Sequence, residues 1–298
     1  MTISSAERRA RAILPVLRFM QAHLPLPIAH WLLRQSMARV RLADGVTREA
    51  VSAEGVSCQW VLPRNHPADP VLLYLHGGGF VFGLTPPHLR MGAYLALKMG
   101  VRILMVDYRL APKHPFPAAL DDCATAYRWL LKQGLPARKI AVAGDSAGGN
   151  LTLALSMKLR NAGDPLPAAA ACLSPATDLT QEHARPGYRD PLLPRKATRF
   201  YTQSYVGNHD PHDPLISPLL GDLRGLPPLL VHAGEDEMLR DDAVRLEERA
   251  RAASVDVRLE IYPRMWHVWQ INLALPQAVQ SLDDVAQFLG SFVGPCVQ

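Results

Sequence analysis

The chain has 298 residues, 48% hydrophobic and 20% charged, a balance that excludes a disordered chain and gives enough material for one large core. The net charge of +5 comes from scattered basic residues; the densest group, Arg8, Arg9 and Arg11, is small, so nucleic acid is not an expected partner. The four cysteines (Cys58, Cys123, Cys172 and Cys296) form no C-x-x-C pair, which excludes a disulfide framework and fits a reducing, cytoplasmic setting.

Taken in chain order, residues 1–45 read as helical, with apolar positions at Ile13, Leu14, Leu17, Met20, Leu32 and Leu33. Pro15, Arg18, Gln21 and His23 interrupt this stretch, so it reads neither as a signal peptide nor as a span. Nowhere does the chain carry the run of about 20 apolar residues that a membrane helix needs. Two alternating segments follow, Val46–Val51 and Val56–Leu62, with Ala53-Glu54-Gly55 between them as a hairpin turn. Then come six apolar runs of strand length: Val71–Leu75, Val101–Val106, Ile140–Ala143, Ala169–Leu173, Leu229–Ala233 and Val257–Ile261. Most lack polar alternation, as strands buried on both faces do. Helical stretches separate or follow them: Leu89–Met99, Ala118–Lys132, Ala147–Asn161, Asp241–Ala253 and Pro276–Phe292. This order predicts an α/β protein with an antiparallel edge, a mostly parallel sheet and helices on both faces. Residues 180–216 break the alternation. They read as irregular, rich in Pro, Arg and His, and pack with the N-terminal helices as a lid.

Two glycine-rich turns follow predicted strands. Gly144-Asp145-Ser146-Ala147-Gly148 fits G-x-S-x-G between the run Ile140–Ala143 and a helix, the strand–turn–helix setting of a nucleophile elbow. Its glycines let the backbone bend tightly, and the helix N-terminus behind Ser146 favours developing negative charge. His76-Gly77-Gly78-Gly79 ends the run Val71–Leu75 and offers backbone N–H groups to an oxyanion. A serine hydroxyl needs a base. His267 lies just after the last strand, and the acids Glu235, Asp236 and Glu237 follow the strand before it, giving the chain order serine, acid, histidine. Asn208-His209-Asp210-Pro211-His212-Asp213 has metal-ligand content but no common metal-site spacing. No metal or cofactor is expected.

The chain resembles the bacterial hormone-sensitive-lipase-like esterases. The resemblance is carried by His76-Gly77-Gly78-Gly79-Phe80, Asp107-Tyr108-Arg109-Leu110-Ala111-Pro112, Gly144-Asp145-Ser146-Ala147-Gly148-Gly149-Asn150, Asp213-Pro214 with Ser217-Pro218-Leu219, and His267. It implies an α/β-hydrolase fold with an eight-stranded sheet. Residues 46–179 and 217–298 would form the catalytic domain, and residues 1–45 and 180–216 a helical cap. It implies a carboxylesterase acting on small to medium acyl esters, with Ser146 as nucleophile, His267 as base, and the N–H groups of Gly78, Gly79 and Ala147 as the oxyanion hole. His76 would brace the glycine loop, and Asp145 would be a structural neighbour of the elbow. Where such proteins carry an Asp-Pro-Leu-x-Asp acid motif, this chain has Glu237-Met238-Leu239-Arg240-Asp241, which puts Glu237 at the acid position with Asp236 as the alternative. A second departure puts Lys113 where Glu often follows Ala-Pro. Trp266 and Trp269 read as packing residues. The same site would serve a lactone or amide hydrolase. A non-catalytic receptor of this fold would be expected to have lost the serine or the histidine. The resemblance further implies a homodimer built through a sheet edge.

Overall fold

A computed structural model describes residues 3–64, 66–67, 69–180, 188 and 190–294, with the side chain of Arg34 set aside. Cys296 and part of the expected lid (residues 181–187 and 189) lie outside the described residues.

The strands are β1 (Val46–Ala53), β2 (Val56–Pro63), β3 (Val71–Leu75), β4 (Arg102–Val106), β5 (Ile140–Asp145), β6 (Ala169–Leu173), β7 (Leu229–Gly234) and β8 (Val257–Tyr262). They form one eight-stranded sheet in the order β1-β2-β4-β3-β5-β6-β7-β8. β1 and β2 form an antiparallel hairpin and β2 pairs antiparallel with β4; every later pair is parallel. The turn between β1 and β2 has Glu54 and Gly55 at φ 51° and 93°, two consecutive positive values that match the right-handed twist of a hairpin. β3, β5 and β6 are buried along their whole length, which is why their sequences are continuous apolar runs. The exposed positions of β1 mark it as the sheet edge.

Helices cover both faces. α3 (Pro86–Met99) and α8 (Pro276–Val293) pack on one face against Leu72, Tyr74, Ala141, Ala171 and Leu230. α4 (Ala118–Lys132), α5 (Ala147–Ala162) and α7 (Arg240–Ala252) pack on the other against Leu73, Val142, Ala170, Cys172 and Val231.

Outside the sheet lie α1 (Ser5–His23), α2 (Leu26–Ala38) and α6 (Arg195–Val206). α1 is capped by the Ser4 hydroxyl, which accepts from the Glu7 N–H at 3.1 Å. Of the apolar positions read in this stretch, Leu14 is buried and Leu33 half-buried, whereas Ile13, Leu17, Met20 and Leu32 are exposed. α6 is a regular helix in a region expected to be irregular. Ala197, Tyr201 and Tyr205 recur every four residues and are buried, a helical stripe that the surrounding Pro and Arg residues obscured. Among the described residues no helix is long and apolar enough to cross a membrane.

Candidate active site

Because β3 and β5 are parallel neighbours with Leu75 opposite Gly144, the turns that follow them emerge side by side at the same sheet end. Ser146 sits between β5 and α5 at φ 53° and ψ −117°, a conformation costing on the order of 1–3 kcal/mol for a residue other than glycine. The flanking sequence makes the bend feasible. A Cβ at Gly144 would lie 2.3 Å from the Gly148 carbonyl oxygen, and one at Gly148 would lie 1.9 Å from that of Leu75. Neither position tolerates a side chain, so the turn closes directly onto the end of β3. Ser146 keeps partial exposure while its neighbours are buried.

His267 Nε2 lies 2.9 Å from Ser146 Oγ. His267 Nδ1 lies 3.3 Å from Glu237 Oε2, and Glu237 Oε1 accepts from the Gly234 N–H at 3.1 Å. Glu237 is fully buried and His267 nearly so. Burial by itself would push the imidazole pKa down; the hydrogen bond and charge of Glu237, helped by Asp190 and Asp145, outweigh it and hold the pKa above its usual value. Asp236, the alternative acid, turns outward instead and accepts from Arg11 of α1 at 2.8 Å.

The glycine loop is held open by three residues in the left-handed region, Gly78, Gly79 and Phe80 at φ 116°, 60° and 63°. Among the described residues no group accepts from the N–H of Gly78, Gly79 or Ala147, so these donors are available to an oxyanion. Asp145 does more than neighbour the elbow. Its Oδ1 accepts from the Gly77 N–H at 3.0 Å and from the Tyr74 hydroxyl at 2.8 Å, and its Oδ2 lies 3.3 Å from His88 Nε2. Burial raises this carboxyl, but those partners prevail and leave it below the ordinary carboxylate range. His76 is buried, donates from Nδ1 to the Gly77 carbonyl at 2.7 Å and stacks on Tyr108 at 4.2 Å. Tyr108 in turn donates to the His76 carbonyl at 2.7 Å. Burial, with His88 nearby, lowers the His76 pKa to about 3, so this ring stays neutral. The loop is thus fastened from β3, β4 and β5 together.

Several supporting residues escaped the sequence reading. Asp190, buried, accepts from Leu192 and Leu193 and, through Oδ2, from the Met238 N–H at 2.8 Å, one residue beyond Glu237. Buried Glu7 of α1 binds Arg264 at 3.1 Å and Arg11 at 3.3 Å, ahead of the loop that carries His267. The same loop is pinned by the Asp236 N–H donating to the Met265 carbonyl at 2.8 Å and the Val268 N–H donating to Ser174 Oγ at 3.1 Å. Trp266 and Trp269 pack with Tyr262, Met265, Ala10 and Leu14. No local pattern could have revealed these partners, because most are far apart in sequence. From outside the sheet, Tyr201 of α6 lies over Gly79, where a Cβ would come within 2.8 Å of its ring, and His30 of α2 lies 2.7 Å from the Val81 carbonyl.

Other residues that carry the resemblance tie neighbouring segments together. Asn150 Nδ2 donates to the carbonyls of Ala176 and Ile216 at 2.8 and 2.9 Å. Ser217 Oγ accepts from the Leu179 N–H at 2.9 Å. Lys113 is exposed. In the 208–213 segment Asp210 accepts from the His212 backbone and ring, and Asp213 accepts from the Leu215 N–H at 2.8 Å.

A polarisable hydroxyl, an imidazole backed by a buried carboxylate, and unpaired amides from the glycine loop and the N-terminus of α5 form an acyl-transfer constellation. A family model described as the alpha/beta hydrolase fold matches residues 72–271. An acetyl-hydrolase of Streptomyces hygroscopicus is 40% identical over 250 residues, covering 83% of each chain. An esterase of Acinetobacter venetianus is 37% identical over 257 residues, covering 85% of this chain and 81% of its own. Among solved structures, an esterase from the bacterial hormone-sensitive lipase family superposes with a TM-score of 0.90 at 38% identity, over 99% of this chain and 100% of that one.

Proposed function

Given that the chain belongs to the alpha/beta hydrolase fold family, we propose that it is a carboxylesterase of the hormone-sensitive-lipase-like group, acting on small to medium acyl esters. The observation that carries the mechanism is the continuous contact from Ser146 through His267 to Glu237. His267 takes the Ser146 proton as the hydroxyl oxygen attacks the ester carbonyl. The oxyanion is held by the N–H groups of Gly78, Gly79 and Ala147. His267 then protonates the departing alcohol, leaving an acyl group on Ser146. A water deprotonated by the same imidazole releases the acid and restores the serine. Glu237 fixes the Nδ1–H tautomer and stabilises the transient imidazolium. Asp145 and His76 position the glycine loop.

Residues 1–45 and 180–216 act as a cap in this reading, supported by the contacts of α2 and α6 with the glycine loop. Cytoplasmic residence belongs to the same proposal and is supported by the free, buried thiols of Cys58, Cys123 and Cys172. The test is hydrolysis of p-nitrophenyl butyrate together with labelling by a fluorophosphonate. The wild-type chain turns over the ester and is labelled, and Ser146→Ala does neither. An unlabelled but active wild type, or an active Ser146→Ala, overturns the mechanism.

A further inference from the structure

Away from the serine, three chemistry-bearing side chains converge where β7, β8 and α8 meet. His232 and Glu260 are register partners on adjacent parallel strands, so their side chains leave the same face of the sheet. α8 covers that face and brings Asp284. One ligand atom from each of the three lies within 4.8 Å of the others. His232 is fully buried, and its Nε2 has no hydrogen-bond partner. Such an orphaned polar atom is costly to bury and calls for a ligand.

The surroundings decide how the ring is used. Nδ1 lies 2.8 Å from Ser281 Oγ on α8, and Gln270 donates to that same oxygen at 3.3 Å. With Nδ1–H donated to Ser281, the Nε2 lone pair is what remains. This is the arrangement by which metal-binding imidazoles are oriented through their second nitrogen. Tyr262 donates to Asp284 Oδ2 at 2.8 Å and Arg258 to Glu260 Oε2 at 3.0 Å. Each carboxylate thus keeps its other oxygen for a ligand.

We propose that His232, Glu260 and Asp284 form a binding site for one divalent transition-metal ion, with zinc as the best match. One imidazole and two carboxylates suit zinc, with water completing a tetrahedron. Calcium asks for six to eight oxygens, more than this site supplies. Bonds of about 2.0–2.2 Å require the triangle to tighten, which the partly exposed Glu260 and Asp284 can do by side-chain rotation. The ion clamps the edge strand β8 to β7 and α8, just before the loop that carries His267. Its role is structural, independent of the esterase proposal, and it departs from the metal-free expectation of the sequence. The three ligands come from separate elements with no motif spacing.

The experiment uses the full chain, stripped with a chelator and dialysed, then titrated with zinc chloride by calorimetry and thermal unfolding. Wild type is expected to bind one zinc per chain and to unfold at higher temperature with the metal. Glu260→Gln and Asp284→Asn, each keeping its side-chain size, are each expected to weaken binding at least tenfold and to abolish the thermal shift, while ester hydrolysis by the metal-free forms stays at the wild-type level. Magnesium and calcium are expected to give no comparable shift. Absence of stoichiometric zinc binding by wild type, or equal binding by both variants, overturns the proposal; equal binding would place the zinc on other histidines.

Discussion

Replacing Glu237 by Gln tests the proposed division of labour most sharply. The substitution preserves the shape of a fully buried side chain while removing the charge that faces His267 Nδ1 at 3.3 Å. An amide can present its NH2 to the ring, which favours the wrong tautomer, and it cannot offset the imidazolium formed during attack. The corresponding change in a serine protease costs about 10⁴ in kcat. The Glu237 contact is longer than an ideal charge-assisted bond, so we expect a loss of about 10³–10⁴, or about 4–5.5 kcal/mol at about 1.36 kcal/mol per decade. Asp236→Asn, in contrast, removes only a partly exposed ion pair with Arg11, worth about 0.2–1 kcal/mol of stability, and should keep kcat within about threefold. The assay is initial-rate hydrolysis of p-nitrophenyl butyrate at saturating substrate, with circular dichroism to show that both variants fold. A crippled Asp236→Asn beside a Glu237→Gln that retains more than about a tenth of wild-type kcat would refute the assignment of the acid.

Other expectations follow from the same contacts. Since His267 acts as a base only when neutral and its pKa is raised, the acid limb of the kcat/KM profile should have its midpoint above about 6.5; Glu237→Gln removes the largest opposition to burial, leaving only Asp190 and Asp145 against it, and should move whatever limb survives to lower pH. In stability the sign reverses: this histidine stabilises the fold below its unfolded pKa, and the contribution is lost as pH rises through the folded one. Asp242, raised to about 7 by burial and by Asp178, binds more protons folded than unfolded, so stability should decline between about pH 4 and 7. Chemical denaturation of Asp242→Asn should show that decline flattened, and an unchanged slope would count against it. Gly148→Ala places a Cβ 1.9 Å from the Leu75 carbonyl oxygen and should abolish fluorophosphonate labelling, whether by distorting the elbow or by unfolding it. Glu7→Gln weakens the ties to Arg264 and Arg11 and should lower Tm by several degrees in a melting experiment.

Much of the framework was readable in one dimension because its causes are local. A strand buried on both faces must be apolar throughout, so β3, β5 and β6 announced themselves as unbroken runs. A bend that forbids a Cβ on either side of Ser146 must carry glycine at 144 and 148, so the elbow appeared as a motif. The boundaries of α4, β3 and β6 fall where the pattern placed them. The helices outside the sheet were less legible. Exposed Ile13, Leu17, Met20 and Leu32 mimic a packing face, and Tyr201 and Tyr205 of α6 look unremarkable until they are seen over Gly79 and Phe80. Their burial depends on which element lies above them, and periodicity does not encode that.

The sequence by itself determined the order of strands and helices, the glycine-bounded serine turn and the downstream histidine, since each is dictated by backbone sterics or by burial along one segment. Only the tertiary structure decided that Glu237 faces the imidazole while Asp236 turns to Arg11, that Asp145 ties the glycine loop to the elbow, and that His232 meets Glu260 and Asp284. Two adjacent acids share the same neighbours in sequence. What separates them is which way the chain turns after β7 and what packs on each side, and contacts between residues tens to hundreds of positions apart exist only once the sheet has brought its strand ends together.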